Sequence, residues 1–196
     1  GGYLTRSWFW IPEETVHNRI QATGSRIYQE FSELPNVFIT EGNVTDYDSI
    51  RRFITGFHIV DGQVKHDPDS LASQFNIQSI AFDRFNSSQC VINLASDGLS
   101  MKPYGQGFVS MSTPSKSVER LMSEGKIQHG CDPVLRWMFG NVVLRTDPSG
   151  NIKPDKEKSG DKIDGVISLI MALGQELTEQ TEQPQNIPDN YTIRTL

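Results

Sequence analysis

Two aspartates stand where a carboxylate can do chemistry. Asp83 ends the apolar run from Ile77 to Phe82, which reads as a strand, so its side chain is expected at a sheet edge, where α/β proteins place their sites. Asp164 lies in the first turn of an apolar helical stretch, three residues after Asp161. Carboxylates brought together this way supply hard oxygen ligands that suit Mg²⁺ or Mn²⁺, and a phosphodiester adds oxygens of its own. With two such ions about 4 Å apart, one activates water and the other stabilises the leaving oxygen. Each residue also has an ordinary reading. Asp83 could cap the next helix or turn, Asp161 could cap the later helix, and Asp164 could complement the positive end of its dipole.

Lys153, Lys156, Lys158 and Lys162 form a basic stretch beside Asp164, broken by Asp155, Glu157 and Asp161. It is either a solvated mixed-charge surface or a track for DNA phosphates, and lysines touching only backbone read no sequence. Gly105-Gln106-Gly107-Phe108 is expected to be a flexible loop and is a weak nucleotide signal, because no phosphate-binding lysine follows it. His129, beside Gly130, fits a structural or phosphate-neighbour role better than a general base, and no serine or cysteine triad can be assembled. Trp8, Trp10 and Trp137 read as packing residues rather than base-stacking platforms.

The elements that must hold these residues alternate between strand and helix. Tyr3 to Phe9 reads as a strand that stops before Pro12, and Glu13 and Glu14 suit the first turn of a helix towards Thr23. Val37 to Thr40 is a short strand, and Asp46 is placed to cap a helix through Phe53 and Ile54. Asp61 to Ser70 reads as a loop, with a short segment at Leu71 to Phe75. Asn86 or Ser87 is expected to cap the helix carrying Cys90 and Leu94. Met101 to Pro103 reads as a strand, and Pro114 is expected to start the helix of Val118 and Leu121. Asp132-Pro133 opens another helix; Val142 to Arg145 and Ile152 read as strand partners around the turn Asp147 to Gly150. The last helix spans about Lys162 to Leu177, with Ile163, Val166, Ile167, Ile170, Leu173, Gly174 and Leu177 on one face. Together these elements predict an α/β fold, a mixed sheet flanked by helices.

The 196 residues fit one domain. No apolar run reaches the roughly 18 residues of a membrane span, and no secretion signal is visible at the front. Cys90 and Cys131 alone cannot build a zinc site, and His17, His58, His66 and His129 lack ligand spacing, so a reduced intracellular chain is expected. The formal net charge of −6 argues against tight general DNA binding, which is mostly phosphate neutralisation. Half of that excess comes from Glu176, Glu179, Glu182 and Asp189 set against Arg194, and carboxylates that hold metal are themselves acidic.

Taken in order, several blocks resemble the large terminase subunit of tailed phages and prophages. They are Ile80-Ala81-Phe82-Asp83-Arg84-Phe85-Asn86, Pro103-Tyr104-Gly105-Gln106-Gly107-Phe108, His129-Gly130, Pro133-Val134-Leu135-Arg136-Trp137-Met138, Asn151-Ile152-Lys153-Pro154-Asp155-Lys156 and Lys162-Ile163-Asp164-Gly165. The resemblance implies a ribonuclease H-like nuclease domain over residues 1–177, followed by a polar tail over 178–196. It implies a divalent-metal-dependent endonuclease that cuts concatemeric double-stranded viral DNA during genome packaging, with two Mg²⁺ or Mn²⁺ ions, hydrolysing by water without a covalent intermediate. Asp83 and Asp164 become the catalytic, metal-holding residues and Asp161 an auxiliary ligand. Lys153, Lys156, Lys158 and Lys162 become contacts to the DNA backbone. The implied partners are DNA, the portal, a small terminase subunit and an N-terminal packaging ATPase, in the host cytoplasm at the procapsid. This chain has no Gly-x-x-x-x-Gly-Lys-Ser/Thr loop, so the motor is expected outside it.

The family places a third aspartate on a first strand, in a Gly-Leu-Asp-Leu-like segment, and none precedes Tyr3. The chain is therefore expected to begin at the second strand and to lack its central one. Three other readings stay open: another ribonuclease H-like nuclease such as a junction resolvase or transposase, a catalytically silent DNA- or portal-binding module, and a structural virion protein.

Overall fold

The computed structural model describes residues 2–84 and 89–182. In chain order the elements are β1 (Tyr3–Leu4), β2 (Phe9–Pro12), α1 (Glu13–Thr23), α2 (Ile27–Ser32), β3 (Val37–Thr40), α3 (Tyr47–Thr55), β4 (Phe57–Val60), β5 (Gln63–His66) and α4 (Leu71–Gln74). Then come β6 (Ile80–Asp83), α5 (Gln89–Ser96), β7 (Met101–Tyr104), α6 (Phe108–Ser123), β8 (Ile127–Gln128), α7 (Pro133–Asn141), β9 (Leu144–Thr146), β10 (Ile152–Pro154) and α8 (Asp164–Glu182). The α/β expectation holds as a mixed arrangement flanked by helices. Among the described residues the strands form two-stranded sheets rather than one continuous sheet: β1 with β8, β2 with β3 and β6 with β7 in parallel, β4 with β5 and β9 with β10 antiparallel.

Local chemistry accounts for most boundaries. Asp46 accepts hydrogen bonds from the amides of Asp48 and Ser49 at 2.9 and 3.1 Å, and so satisfies two orphan donors at the start of α3. Asp132 does the same for the Leu135 amide at 2.7 Å, with Pro133 pre-set for the first helical position of α7. The stretch read as one strand from Tyr3 splits into β1 and β2, each with its own partner. The expected caps Asn86 and Ser87 lie outside the described residues.

Two expectations fail for physical reasons. Asp61 to Ser70 is not all loop: β4 and β5 form a hairpin whose turn residues Asp61 and Gly62 have φ of 53° and 74°. Positive φ at both central residues belongs to the tight hairpin turn that Asp-Gly favours, a signal present in the sequence. Pro114 does not start α6; the helix begins at Phe108 and carries the proline inside it. A proline there deprives the carbonyl four residues back, that of Ser110, of its helical donor. The Tyr104 hydroxyl donates to that carbonyl at 2.9 Å, so the break in the ladder is mended by a side chain from β7.

α8 is the spine of the core. Ile163 just ahead of it, then Val166, Ile167, Ile170, Met171 and Leu173, bury their side chains against Met111 of α6 and Val134, Leu135 and Met138 of α7. The helix runs past Leu177 to Glu182. No described helix is long and apolar enough to cross a membrane. The tryptophans pack as expected: Trp8 and Trp10 meet the Phe53 ring at 5.4 and 5.3 Å, and Trp137 meets Phe31 at 5.5 Å.

Cys90 is buried and Cys131 exposed, both as free thiols. Burial first, and then Asp48, push the Cys90 thiol above its ordinary value of 9.0, against the opposing pull of Arg51. A thiol-specific reagent is therefore expected to modify Cys131 quickly in the native protein and Cys90 only on unfolding. Because the folded pKa lies above the unfolded one, the Cys90 contribution to stability is complete below pH 9.0 and is lost as pH rises past it. Cys90→Ala should flatten the loss of stability between pH 9.0 and the tyrosine range near 10.0, measured by urea titration. An unchanged slope would contradict this account.

Candidate active site

β6 runs parallel to β7 with Asp83 opposite Tyr104, which puts the carboxylate at the carboxyl end of the pair. Two residues beyond β7 the chain turns back, and the Gln106 side-chain amide donates to Asp83 Oδ2 at 3.0 Å. The same nitrogen lies 3.8 Å from Met171 Sδ, in the middle of α8. Lys153, on β10, donates from Nζ to the Gln106 carbonyl at 3.2 Å, and its ammonium sits 5.4 Å from the centre of the Phe108 ring. The loop 105–107 is thus held from two sides rather than left flexible. Gly105 permits the close approach, since a Cβ there would lie 3.2 Å from Ser110 Oγ.

Asp164 is the first residue of α8, where the helix dipole favours a negative charge. Its side chain is 61% exposed and pairs with Lys156 Nζ at 3.3 Å. A pair this open contributes about 0–1 kcal/mol, so neither partner is committed to the other. Asp161 is in a different situation. One carboxylate oxygen forms an ion pair with Arg19 of α1 and the other accepts from the Lys162 amide at 2.9 Å. Arg19 in turn lies 5.4 Å over the Tyr28 ring. The Tyr28 hydroxyl is pushed up mainly by burial, with Arg19 lowering it and the charge of Asp164 raising it. Arg19, Tyr28, Asp161 and Asp164 therefore belong to one electrostatic neighbourhood.

Asp83 and Asp164 sit at different heights along α8, Asp164 at its first residue. Asp83 is reached through Gln106 at the level of Met171, and seven residues of helix from there to Asp164 span roughly 10 Å. Among the described residues no group of three histidines, cysteines, aspartates or glutamates could hold a metal ion.

Of the four lysines, Lys153 is half-buried in the contacts above, while Lys156, Lys158 and Lys162 are exposed. Asp155, only 6% exposed, organises the turn that carries them: its carboxylate accepts from the amides of Glu157 and Lys158 at 3.1 and 3.3 Å. The positions that Gln106, Arg19 and Asp155 take up around these carboxylates and lysines escaped the reading of the sequence. Only Asp155 carries a local signal, an aspartate after proline whose side chain folds onto its own following amides.

Two cavities of about 360 and 200 Å³ lie elsewhere along α8, sharing Ala172 and Glu176. One is bounded by Tyr3 to Thr5 and Ile127, the other by Ile77 to Ser79 and Ala81.

With this geometry in view, comparison with known proteins places the chain. The family described as the terminase large subunit, endonuclease domain, matches residues 26–180, and the chain belongs to that family. It is 31% identical over 190 residues to the terminase large subunit of Enterobacteria phage HK97, covering 96% of this chain and 34% of that protein. It is 29% identical over 195 residues to protein YmfN of Escherichia coli (strain K12), covering 96% of this chain and 40% of that one. The crystal structure of the HK97 bacteriophage large terminase superposes with a TM-score of 0.69 at 28% identity, over 85% of this chain and 32% of the other. The chain thus spans between about a third and two fifths of the length of these relatives.

Proposed function

We propose that this chain is the DNA-cutting part of a phage-type large terminase, hydrolysing phosphodiester bonds of concatemeric double-stranded DNA with the help of Mg²⁺ or Mn²⁺. The observation that carries the reading is the match of the terminase endonuclease family over residues 26–180, supported by a carboxylate at the end of β6, Asp83, and another at the start of α8, Asp164. Both offer hard oxygen donors, the chemistry these ions prefer. Bound there, the metal would supply an activated water and stabilise charge on the leaving oxygen. The chain's own residues would do the rest: Gln106 orients Asp83, and the exposed ammoniums of Lys156, Lys158 and Lys162 receive backbone phosphates next to Asp164. Asp161 would act from one step further out, through Arg19 and the start of α8. Contacts confined to the backbone predict cleavage without sequence preference, so placement of the cut falls to partners. Those partners would be the portal, a small terminase subunit and the packaging ATPase, at the procapsid in the host cytoplasm.

Asp83 and Asp164 would supply carboxylate oxygens to the metal, with water and the DNA phosphate supplying others. In a ribonuclease H-like reading, residues 1–177 form the nuclease domain and residues 178–196 a polar tail. A catalytically silent module that binds DNA or portal is the second reading, favoured by the lack of a three-ligand cluster among the described residues. Incubating the whole protein with supercoiled plasmid separates the two. Nicking and linearisation in Mg²⁺ or Mn²⁺, abolished by EDTA and restored by metal, is expected. Retention of DNA without cleavage at saturating Mn²⁺ would favour the silent module.

A further inference from the structure

The side chains around Asp83 form a connected chain: Lys153 Nζ to the Gln106 carbonyl at 3.2 Å, and the Gln106 amide to Asp83 Oδ2 at 3.0 Å. We propose that Gln106 and Lys153 are positioning residues, which together set the orientation of the Asp83 carboxylate for metal. This rests on the function proposed above. It takes Lys153 out of the set of DNA-contacting lysines.

The geometry has three parts. First, the Gln106 amide has only one sensible orientation. Its nitrogen donates to the carboxylate, whereas its oxygen in that place would meet a negative charge. Second, that nitrogen also lies 3.8 Å from Met171 Sδ, so the side chain is wedged between β6 and the middle of α8. Third, the backbone of Gln106 sits between two glycines, Gly105 and Gly107, and would be free to move if nothing held it. Lys153 holds it. Its ammonium is half-buried, engaged by the Gln106 carbonyl and set over the Phe108 ring, which opens α6 directly after the loop. A lysine committed to these contacts gives them up before it can reach a phosphate. Lys158 and Lys162 on the following turn are exposed and free of that commitment.

Outer-shell partners of metal ligands typically contribute 10–100-fold in metal affinity, because they hold the ligand in the geometry the ion requires. Lys153 and Gln106 act in series, so their effects should not add.

The test is Mn²⁺ affinity by electron paramagnetic resonance on the whole protein without DNA, with a thermal melt for every variant. Gln106→Leu and Lys153→Met are each expected to weaken Mn²⁺ binding by about 10-fold. The double variant should be no weaker than the single ones, and Lys153→Arg, which can still donate to the carbonyl, should recover most of the loss. Gln106→Met, close in shape but unable to donate and adding no charge, serves if Gln106→Leu loses its cooperative melt, with the same loss expected. Mn²⁺ affinity equal to wild type in Lys153→Met, with only DNA affinity reduced, would make Lys153 a phosphate contact and overturn the inference while leaving the nuclease reading intact. Additive losses in the double variant would also overturn it. A wild-type protein that binds no Mn²⁺ would remove the metal reading itself, and this inference with it.

Discussion

Asp83→Asn and Asp164→Asn are each expected to reduce plasmid cleavage by more than the roughly 10–100-fold that an outer-shell partner of a metal costs, with little change in stability. The two properties separate because of where the carboxylates sit. Asparagine keeps the shape of aspartate and retains an oxygen to accept from Gln106, so the 3.0 Å hydrogen bond at Asp83 survives while the charge that would hold a divalent ion is lost. Asp164 is 61% exposed and its pair with Lys156 is open to solvent. Losing that pair and the favourable charge at the start of α8 together costs about 1 kcal/mol. Asp161→Asn should behave in the opposite sense. Its ion pair with Arg19 is largely withdrawn from water, at 14% and 30% exposure, and breaking it leaves a cation without its partner. A stability loss of about 1–3 kcal/mol is expected, with a smaller effect on cleavage than at Asp83 or Asp164. Thermal melts alongside plasmid assays on all three variants check this. Near-wild-type cleavage by Asp164→Asn would remove that residue from the site, and a collapse of cleavage without loss of stability in Asp161→Asn would promote Asp161 to a metal ligand.

Gly174→Ala should destabilise the fold by about 1–3 kcal/mol, far more than this exchange costs on an open helix face, where alanine is the better helix former. A methyl at Gly174 would overlap the Tyr104 hydroxyl and come within 3.1 Å of the Pro114 ring. Neither neighbour has room to move. Pro114 is set in the middle of α6, and the Tyr104 hydroxyl is tied to the Ser110 carbonyl that the proline left without a donor. Burial accordingly pushes the Tyr104 hydroxyl above its ordinary pKa. Tyr104→Phe on its own gives up one hydrogen bond, about 1 kcal/mol, but it also removes the atom that clashes. The double variant Gly174→Ala, Tyr104→Phe is therefore expected to be more stable than the sum of the single losses by about 1 kcal/mol or more, measured as a coupling energy from urea titrations. Strict additivity would show that the hydroxyl is not what excludes the methyl.

These predictions rest on residues of very different legibility. The strand β3, the caps Asp46 and Asp132, the helix from Glu13 to Thr23 and the buried stripe of α8 could all be read directly, because each depends on neighbours within a turn or two. The β4–β5 hairpin was also readable from Asp61-Gly62, yet its exposed strands lack the apolar alternation that marks a buried one. Pro114 misled in the other direction. Its local preference is for a helix start, and only the Tyr104 hydroxyl, supplied from another element, makes it tolerable seven residues in.

The sequence by itself determined the element types, the positions of Asp83 at a strand end and Asp164 at a helix start, and the ordered blocks that mark the terminase family. Each is a matter of local periodicity, capping or pattern along the chain. The tertiary structure alone decided the partners: Arg19 for Asp161, 142 residues away, Gln106 for Asp83, and Lys153 for the loop that carries Gln106. It also set Asp83 and Asp164 at different heights along α8. Hydrogen bonds and ion pairs between distant segments are chosen by which helices pack on which strands. That choice is made by the whole core, and no short stretch of residues encodes it.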